Sequence, residues 1–175
     1  MIVFLIGPRG SGKSTVARLL AERLGRRWLD ADAELEARLG RSIREVFAAE
    51  GEEGFRRHES DVLADLCRRA DVVIAAGGGV VLREDNRRRL KTGKVIYLSA
   101  DAETLYRRVS GDPSTGERRP PLIAALVGDG RAEMEQVLQK RDPLYRDCAD
   151  LIVDTTNRSP EEIVALILYS LTPDP

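Results

Sequence analysis

The chain opens on an unbroken apolar run, Met1–Ile6 (MIVFLI). Similar short runs recur at Val72–Ala75 (VVIA), Val95–Leu98 (VIYL) and Leu151–Val153 (LIV), with a weaker one at Trp28-Leu29. Continuous apolar runs suit strands of a parallel sheet that is covered on both faces. Between them the apolar residues are spaced for helices. Val16, Leu19, Leu20 and Leu24 share one helical face, and Gly25 ends that helix. Ser42 and Glu45 form a capping box ahead of Val46 and Phe47. Phe55, Val62, Leu63 and Leu66 mark a longer helix, and Ser159-Pro160-Glu161 reads as an N-cap with a first-turn proline and acid. This alternation predicts an α/β protein, a three-layer α/β/α arrangement around a central, mostly parallel sheet of five strands.

Ser110–Pro121 (SGDPSTGERRPP) breaks the pattern. It has no apolar period and is long for a connection, which predicts a lid over a site at about 110–122. At 175 residues the chain is expected to form one domain, 1–175.

Composition narrows the possible functions. The 28 basic and 29 acidic residues nearly cancel, and aromatic residues make up 5%. A protein that binds nucleic acid through a broad basic face and stacking rings is not expected. Cys67 and Cys148 lie far apart and His58 is the single histidine, so a zinc site is not expected either; both thiols read as small core residues. The first residues carry no basic n-region, and no apolar run approaches a membrane span. A cytoplasmic monomer without a membrane partner is expected.

Gly7-Pro-Arg-Gly-Ser-Gly-Lys-Ser-Thr15 fits GxxxxGK[ST] and lies between the first predicted strand and the first predicted helix. Glycines there let backbone N–H groups wrap an oxyanion, and the helix N-terminus adds partial positive charge. Lys13 is placed to bridge a transferring phosphate, and the Ser14 hydroxyl can hold Mg²⁺. The motif names no reaction. The guanine-binding Asn-Lys-x-Asp is missing, and Val72–Ala75 runs into Ala76-Gly77-Gly78-Gly79 where a Walker B strand would end in an acid. The carboxylate for a metal must come from elsewhere, and Asp30 and Asp32 are candidates at another strand end. In a doubly wound sheet all these strand ends converge. A helix is expected to start near Ala33, with Asp32 able to cap it.

Other positions carry a chemical signal. Arg141 shares a helix face with Val137 and Leu138, so it points inward, toward an anion or a structural acid. Arg56 and Glu59 are spaced as a helical pair, either a surface ion pair or a ligand-binding arginine with its orienting acid. Three glycines after a strand suggest that something approaches the backbone closely. Phe47 and Phe55 could wall a ring or pack the core, Arg57 is expected in solvent, and the role of Arg9 stays open.

Taken in order, these motifs resemble the shikimate kinase family, small P-loop kinases of the nucleoside-monophosphate-kinase type. The resemblance runs through Gly7–Thr15, "LDADAELE", "GRSIREVFAAEGEEGFRRHE", "GGG", "RRPPL", "RDPLYRD" and "TNRSP". It implies transfer of the γ-phosphoryl group of ATP to the 3-hydroxyl of shikimate, with Mg²⁺, in the route to chorismate and the aromatic amino acids. By the same resemblance Gly10, Ser11, Gly12, Lys13, Ser14 and Thr15 hold the nucleotide phosphates. Arg108, Arg158 and Pro160 lie by adenine, and Ser14 and Asp30 serve the metal. Asp32 binds ring hydroxyls and orients or deprotonates the attacking one. Arg56 and Arg141 grip the shikimate carboxylate, Gly77, Gly78 and Gly79 offer backbone, and about 31–60 forms the shikimate-binding region. Arg119, with Arg118 as the alternative, reaches the transferring phosphate from the lid. A gluconate kinase, an ATP-binding regulator without transfer, and a nucleic-acid-dependent ATPase are the competing readings.

Overall fold

The computed structural model describes residues 1–111 and 130–172. The predicted lid, with Arg118 and Arg119, lies outside the described residues apart from Ser110 and Gly111.

Five strands, β1 (Ile2–Ile6), β2 (Arg27–Asp30), β3 (Val72–Ala75), β4 (Lys94–Ser99) and β5 (Leu151–Asp154), form one sheet in the order β2-β3-β1-β4-β5. Every pairing is parallel, with Phe4 opposite both Ile74 of β3 and Val95 of β4. The apolar runs therefore mark the strands as expected, and the sheet is wholly parallel where mostly parallel was expected.

Burial on both faces explains why the strands are apolar throughout. Along β1, Ile2, Phe4 and Ile6 enter one core and Val3 and Leu5 the other. The first core is closed by α2 (Ala31–Leu39), α3 (Ile43–Leu66), α4 (Glu84–Leu90) and α6 (Gly130–Cys148). The second is closed by α1 (Lys13–Leu24) and α7 (Pro160–Leu171). Helix α5 (Ala102–Ser110) packs against α6 around Leu105 and Met134. Each fully buried Leu, Ile or Phe in these layers contributes about 1.5–3 kcal/mol.

The capping signals hold. Ser42 with Glu45 and Ser159 with Glu162 both close capping boxes, and Gly25 ends α1. Helix α3 is broken at Gly51, whose φ of 68° and ψ of −173° are not helical. The two helices predicted there are thus two arms of one kinked element. Phe47 and Phe55 stack across the kink with ring centroids 4.6 Å apart. Cys67 and Cys148 are free thiols, and burial pushes both above the ordinary thiol pKa. Among the described residues no helix is long and apolar enough to cross a membrane.

The topology fixes where a ligand can sit. Strand β1 is flanked by β3 and β4, so the loop leaving its carboxyl end lies where the winding reverses. That loop is Gly7–Gly12.

Candidate active site

The phosphate loop runs from the end of β1 into the first turn of α1. Helices α2, α3, α5 and α7 are capped by the side chains of Asp30, Ser42, Asp101 and Ser159. Helix α1 begins instead at Gly12, with no side-chain cap and no acid in its first turn. Its leading amides and its dipole are thus presented to an anion. Ser11 is buried, and Lys13 Nζ donates to the Pro8 carbonyl at 2.8 Å. Arg108 of α5 braces the loop: its guanidinium donates to the Thr155 carbonyl at 2.6 Å, to Thr155 Oγ1 at 3.0 Å and to the Gly10 carbonyl at 3.4 Å.

The two aspartates divide their work, and the expected cap is corrected. Helix α2 starts at Ala31, so Asp30 is the N-cap, with extended backbone geometry. Its Oδ1 accepts from the amides of Asp32 at 3.0 Å and Ala33 at 3.4 Å, while Oδ2 accepts from Ser14 Oγ at 2.5 Å. Asp30 therefore joins α2 to the phosphate loop. Asp32 falls inside the first turn of α2 and lines the cleft.

Behind the cleft lies a buried charged layer. Arg56 and Glu59 of α3 pair at 2.8 Å with 7% and 5% exposure, so the surface ion-pair reading is corrected. Burial pulls the Arg56 charge down, but Glu59, with Glu52, outweighs it and raises the guanidinium above its ordinary pKa. Arg57 is exposed, as expected, and His58 meets Glu50 at 2.9 Å.

The glycine turn accommodates this layer. A Cβ on Gly79 would stand 2.0 Å from an Arg56 nitrogen, and one on Gly77 would stand 2.6 Å from a Glu59 oxygen and 3.2 Å from Asp32 Oδ1. What approaches the backbone is therefore the charged pair and the aspartate. Arg141 of α6, 8% exposed, donates to the Gly78 carbonyl at 3.1 Å.

These parts meet in one cleft of about 610 Å³. Gly10, Gly12, Lys13, Ser14, Thr15, Asp30, Asp32, Gly78 and Arg108 line it. Arg56, Gly77, Gly79 and Arg141 are not part of this lining; Arg141 reaches it through the Gly78 carbonyl, and Arg56 packs on Gly79. Arg158 lies apart from the lining, bonded to the Asp154 carbonyl, and Pro160 occupies the first turn of α7. Arg9, left open by the sequence, is half-buried and lines the cleft. Trp28, Glu36 and Ile43 line it too; Glu36 and Ile43 fall within the expected region of about 31–60 but are not singled out by the sequence, and Trp28 reads there only as part of a strand. The signal for Glu36 was its place one turn after Asp32, on the same helix face. Its Oε1 accepts from the Ile43 amide at 2.9 Å and so joins α2 to α3. Phe55 is fully buried and Phe47 packs beside it in the core.

The arrangement sets the glycine loop, Lys13 and the uncapped start of α1 beside the carboxylates of Asp30 and Asp32 in one cleft. A family model described as shikimate kinase matches residues 9–172. The chain is 42% identical over 173 residues to a shikimate kinase of Chromobacterium violaceum, covering 98% of this chain and 90% of its relative. To one of Symbiobacterium thermophilum it is 45% identical over 172 residues, covering 98% and 96%. A solved shikimate kinase from Acinetobacter baumannii, in complex with shikimate, superposes with a TM-score of 0.90 at 37% identity over 97% of this chain and 92% of that one. A gluconokinase from Sinorhizobium meliloti covers 97% of this chain and 90% of its own, but with a TM-score of 0.57 and 16% identity it shares the fold alone. The P-loop kinase fold and a family match spanning nearly all of the sequence lead to one assignment: the chain belongs to the shikimate kinase family.

Proposed function

We propose that this chain transfers the γ-phosphoryl group of ATP to the 3-hydroxyl of shikimate, giving shikimate 3-phosphate and ADP, with its own residues in the following roles. The observation that carries the reading is the single cleft in which Lys13 and Ser14 of the phosphate loop face Asp32 and Gly78.

The backbone amides of Gly10–Thr15 hold the β- and γ-phosphates at the start of α1, and Lys13 leaves the Pro8 carbonyl to meet the charge that builds on the transferring group. Arg108 lies at the adenine end and also braces the loop against the turn after β5. Arg158 and Pro160 belong to the adenine end.

The Ser14 hydroxyl and the Asp30 carboxylate fit a hard cation, because they set two oxygens side by side at the mouth of the loop. They would hold Mg²⁺ together with phosphate oxygens, and the ion would supply charge neutralisation on the phosphates.

At the acceptor end, Asp32 accepts the proton of the attacking hydroxyl as its oxygen bonds to the γ-phosphorus and the bond to the β-phosphate oxygen breaks. Arg56, held by Glu59, and Arg141 grip the carboxylate at the far side of the ring, while Gly77–Gly79 offer backbone. Binding the acid at one end and the hydroxyl at the other orients the alcohol in line with the phosphate. Arg119, with Arg118 as the alternative, completes the phosphate contacts. The reading takes 1–175 as one kinase domain acting as a cytoplasmic monomer, without nucleic-acid or membrane partners.

The test is ADP release with Mg²⁺ and ATP against shikimate, gluconate, nucleoside monophosphates and no acceptor. Release is expected with shikimate. Asp32→Asn is expected to lower kcat by about two orders of magnitude or more. Release with gluconate alone would overturn the acceptor assignment, and an unchanged kcat in Asp32→Asn would remove its proton-transfer role.

A further inference from the structure

The glycine turn is anchored in an uneven way. The carbonyls of Gly77 and Gly79 accept from the amides of Val80 at 3.1 Å and Leu82 at 3.0 Å. The carbonyl between them, on Gly78, is taken by two side chains of α6, Arg141 and the hydroxyl of Tyr145. These residues stand one turn apart and so face the same point. Tyr145 is fully buried, and its ring stacks on Tyr97 at 4.9 Å. The Tyr97 hydroxyl donates to Asp142 at 2.7 Å, which fixes the stack. Burial pushes the Tyr145 hydroxyl up to about 12, so it remains a donor at neutral pH.

Arg141 meets the Gly78 carbonyl through Nη1 alone, a bond that is lost once the guanidinium turns onto another acceptor. In the functional reading above, its guanidinium turns to a carboxylate. A bidentate grip sets the plane of the guanidinium by that carboxylate and not by Gly78. Gly78 is half-buried and lines the cleft, so its carbonyl loses a smaller but real stabilisation when a donor leaves it. We infer that Tyr145 is a positioning residue that keeps the Gly78 carbonyl bonded while Arg141 exchanges that carbonyl for the acceptor's carboxylate. The hydroxyl holds the glycine turn in one conformation through the exchange, and the arginine moves at little cost. This inference rests on the carboxylate role of Arg141.

A double-mutant cycle on the full chain tests it, with shikimate Kd read by titration calorimetry. Tyr145→Phe keeps the ring and its stacking and removes only the hydroxyl. It is expected to weaken shikimate binding about fivefold, the scale of one half-buried carbonyl losing its partner, and to leave ATP affinity unmoved. In the Arg141→Ala background no arginine has to depart, so Tyr145→Phe is expected to change Kd by less than about twofold. Additive effects would overturn the inference, because packing by Tyr145 would weaken binding whether or not Arg141 is present. An unchanged Kd in Tyr145→Phe would overturn it directly. If Arg141→Ala alone leaves Kd unchanged, the carboxylate role falls and the exchange falls with it, an outcome distinct from the other two.

Discussion

The two ends of the cleft are built by different means. The proposed phosphate end is one continuous stretch, Gly7–Thr15, which would work mostly through backbone amides at the uncapped start of α1. The acceptor end, as proposed above, takes Asp32 from α2, Arg56 and Glu59 from α3, Gly77–Gly79 from the turn after β3 and Arg141 from α6. It is joined by side chains, and much of it is buried charge held by opposite charge. A backbone cradle depends on the path of one loop. A side-chain assembly depends on every element that delivers a part, and removing one partner strands another.

The largest effect is expected where the phosphate end relies on a side chain. Lys13→Ala should lower turnover by about a thousandfold or more, because a cation aimed at developing charge acts in the transition state. The fold should survive, since Lys13 is not part of either main core. Turnover and Tm measured together decide this. Normal turnover would remove Lys13 from the mechanism, and collapse of Tm would show that the two ends are not separable.

Gly79→Ala attacks the acceptor end without touching a charged residue. The new Cβ would stand 2.0 Å from one terminal Arg56 nitrogen and 2.5 Å from the other, so either the guanidinium that pairs with Glu59 or the turn must shift. The shikimate KM is expected to rise about tenfold or more, with the ATP KM unchanged, because a carboxylate grip out of register loses binding on the scale of a charged hydrogen bond. An equal rise in both KM values would break the contrast between the two ends.

That contrast also governs what could be read from the sequence. The phosphate loop was legible because all its parts are adjacent and the flanking strand and helix announce themselves. The strands were legible as apolar runs because both faces of the sheet are covered. The triple glycine signalled a close approach, but only the fold identifies what approaches it, since Arg56 and Glu59 lie on a different element. Asp30 and Asp32 were placed at the right strand end, with the cap given to the wrong one. The choice depends on where β2 hands over to α2, a matter of backbone geometry within two residues. Tyr145, Trp28 and Glu36 gave little signal, because a buried tyrosine, an edge-strand tryptophan and a helical glutamate look the same in a sequence whether or not a cleft lies beside them.

The smallest expected effect concerns the clasp that holds the acceptor end in shape. Across the break at Gly51, Glu50 accepts from Arg41 at 2.5 Å and meets His58 at 2.9 Å, joining the arm of α3 that carries Ile43 to the arm that carries Arg56. Hydrogen bonds from Arg41 and then His58 hold the Glu50 carboxyl below its ordinary pKa. The unfolded chain therefore takes up a proton here before the folded one does as pH falls. The stabilisation is complete above the ordinary glutamate value of about 4.3 and is lost as pH drops through the lowered folded value. Glu50→Gln should thus lower Tm by no more than a few degrees at pH 7, and the gap to the unaltered protein should close in acid. Melting curves of both proteins between neutral pH and pH of about 3 carry the test. A gap that stays open in acid would mean that the loss does not follow the carboxylate charge, since Gln keeps the Cβ that lies over Gly54, where an added Cβ would stand 2.3 Å from it. The clasp would then depend on the geometry of its hydrogen bonds to Arg41 and His58, and the acceptor end would rely on charge only in its buried layer.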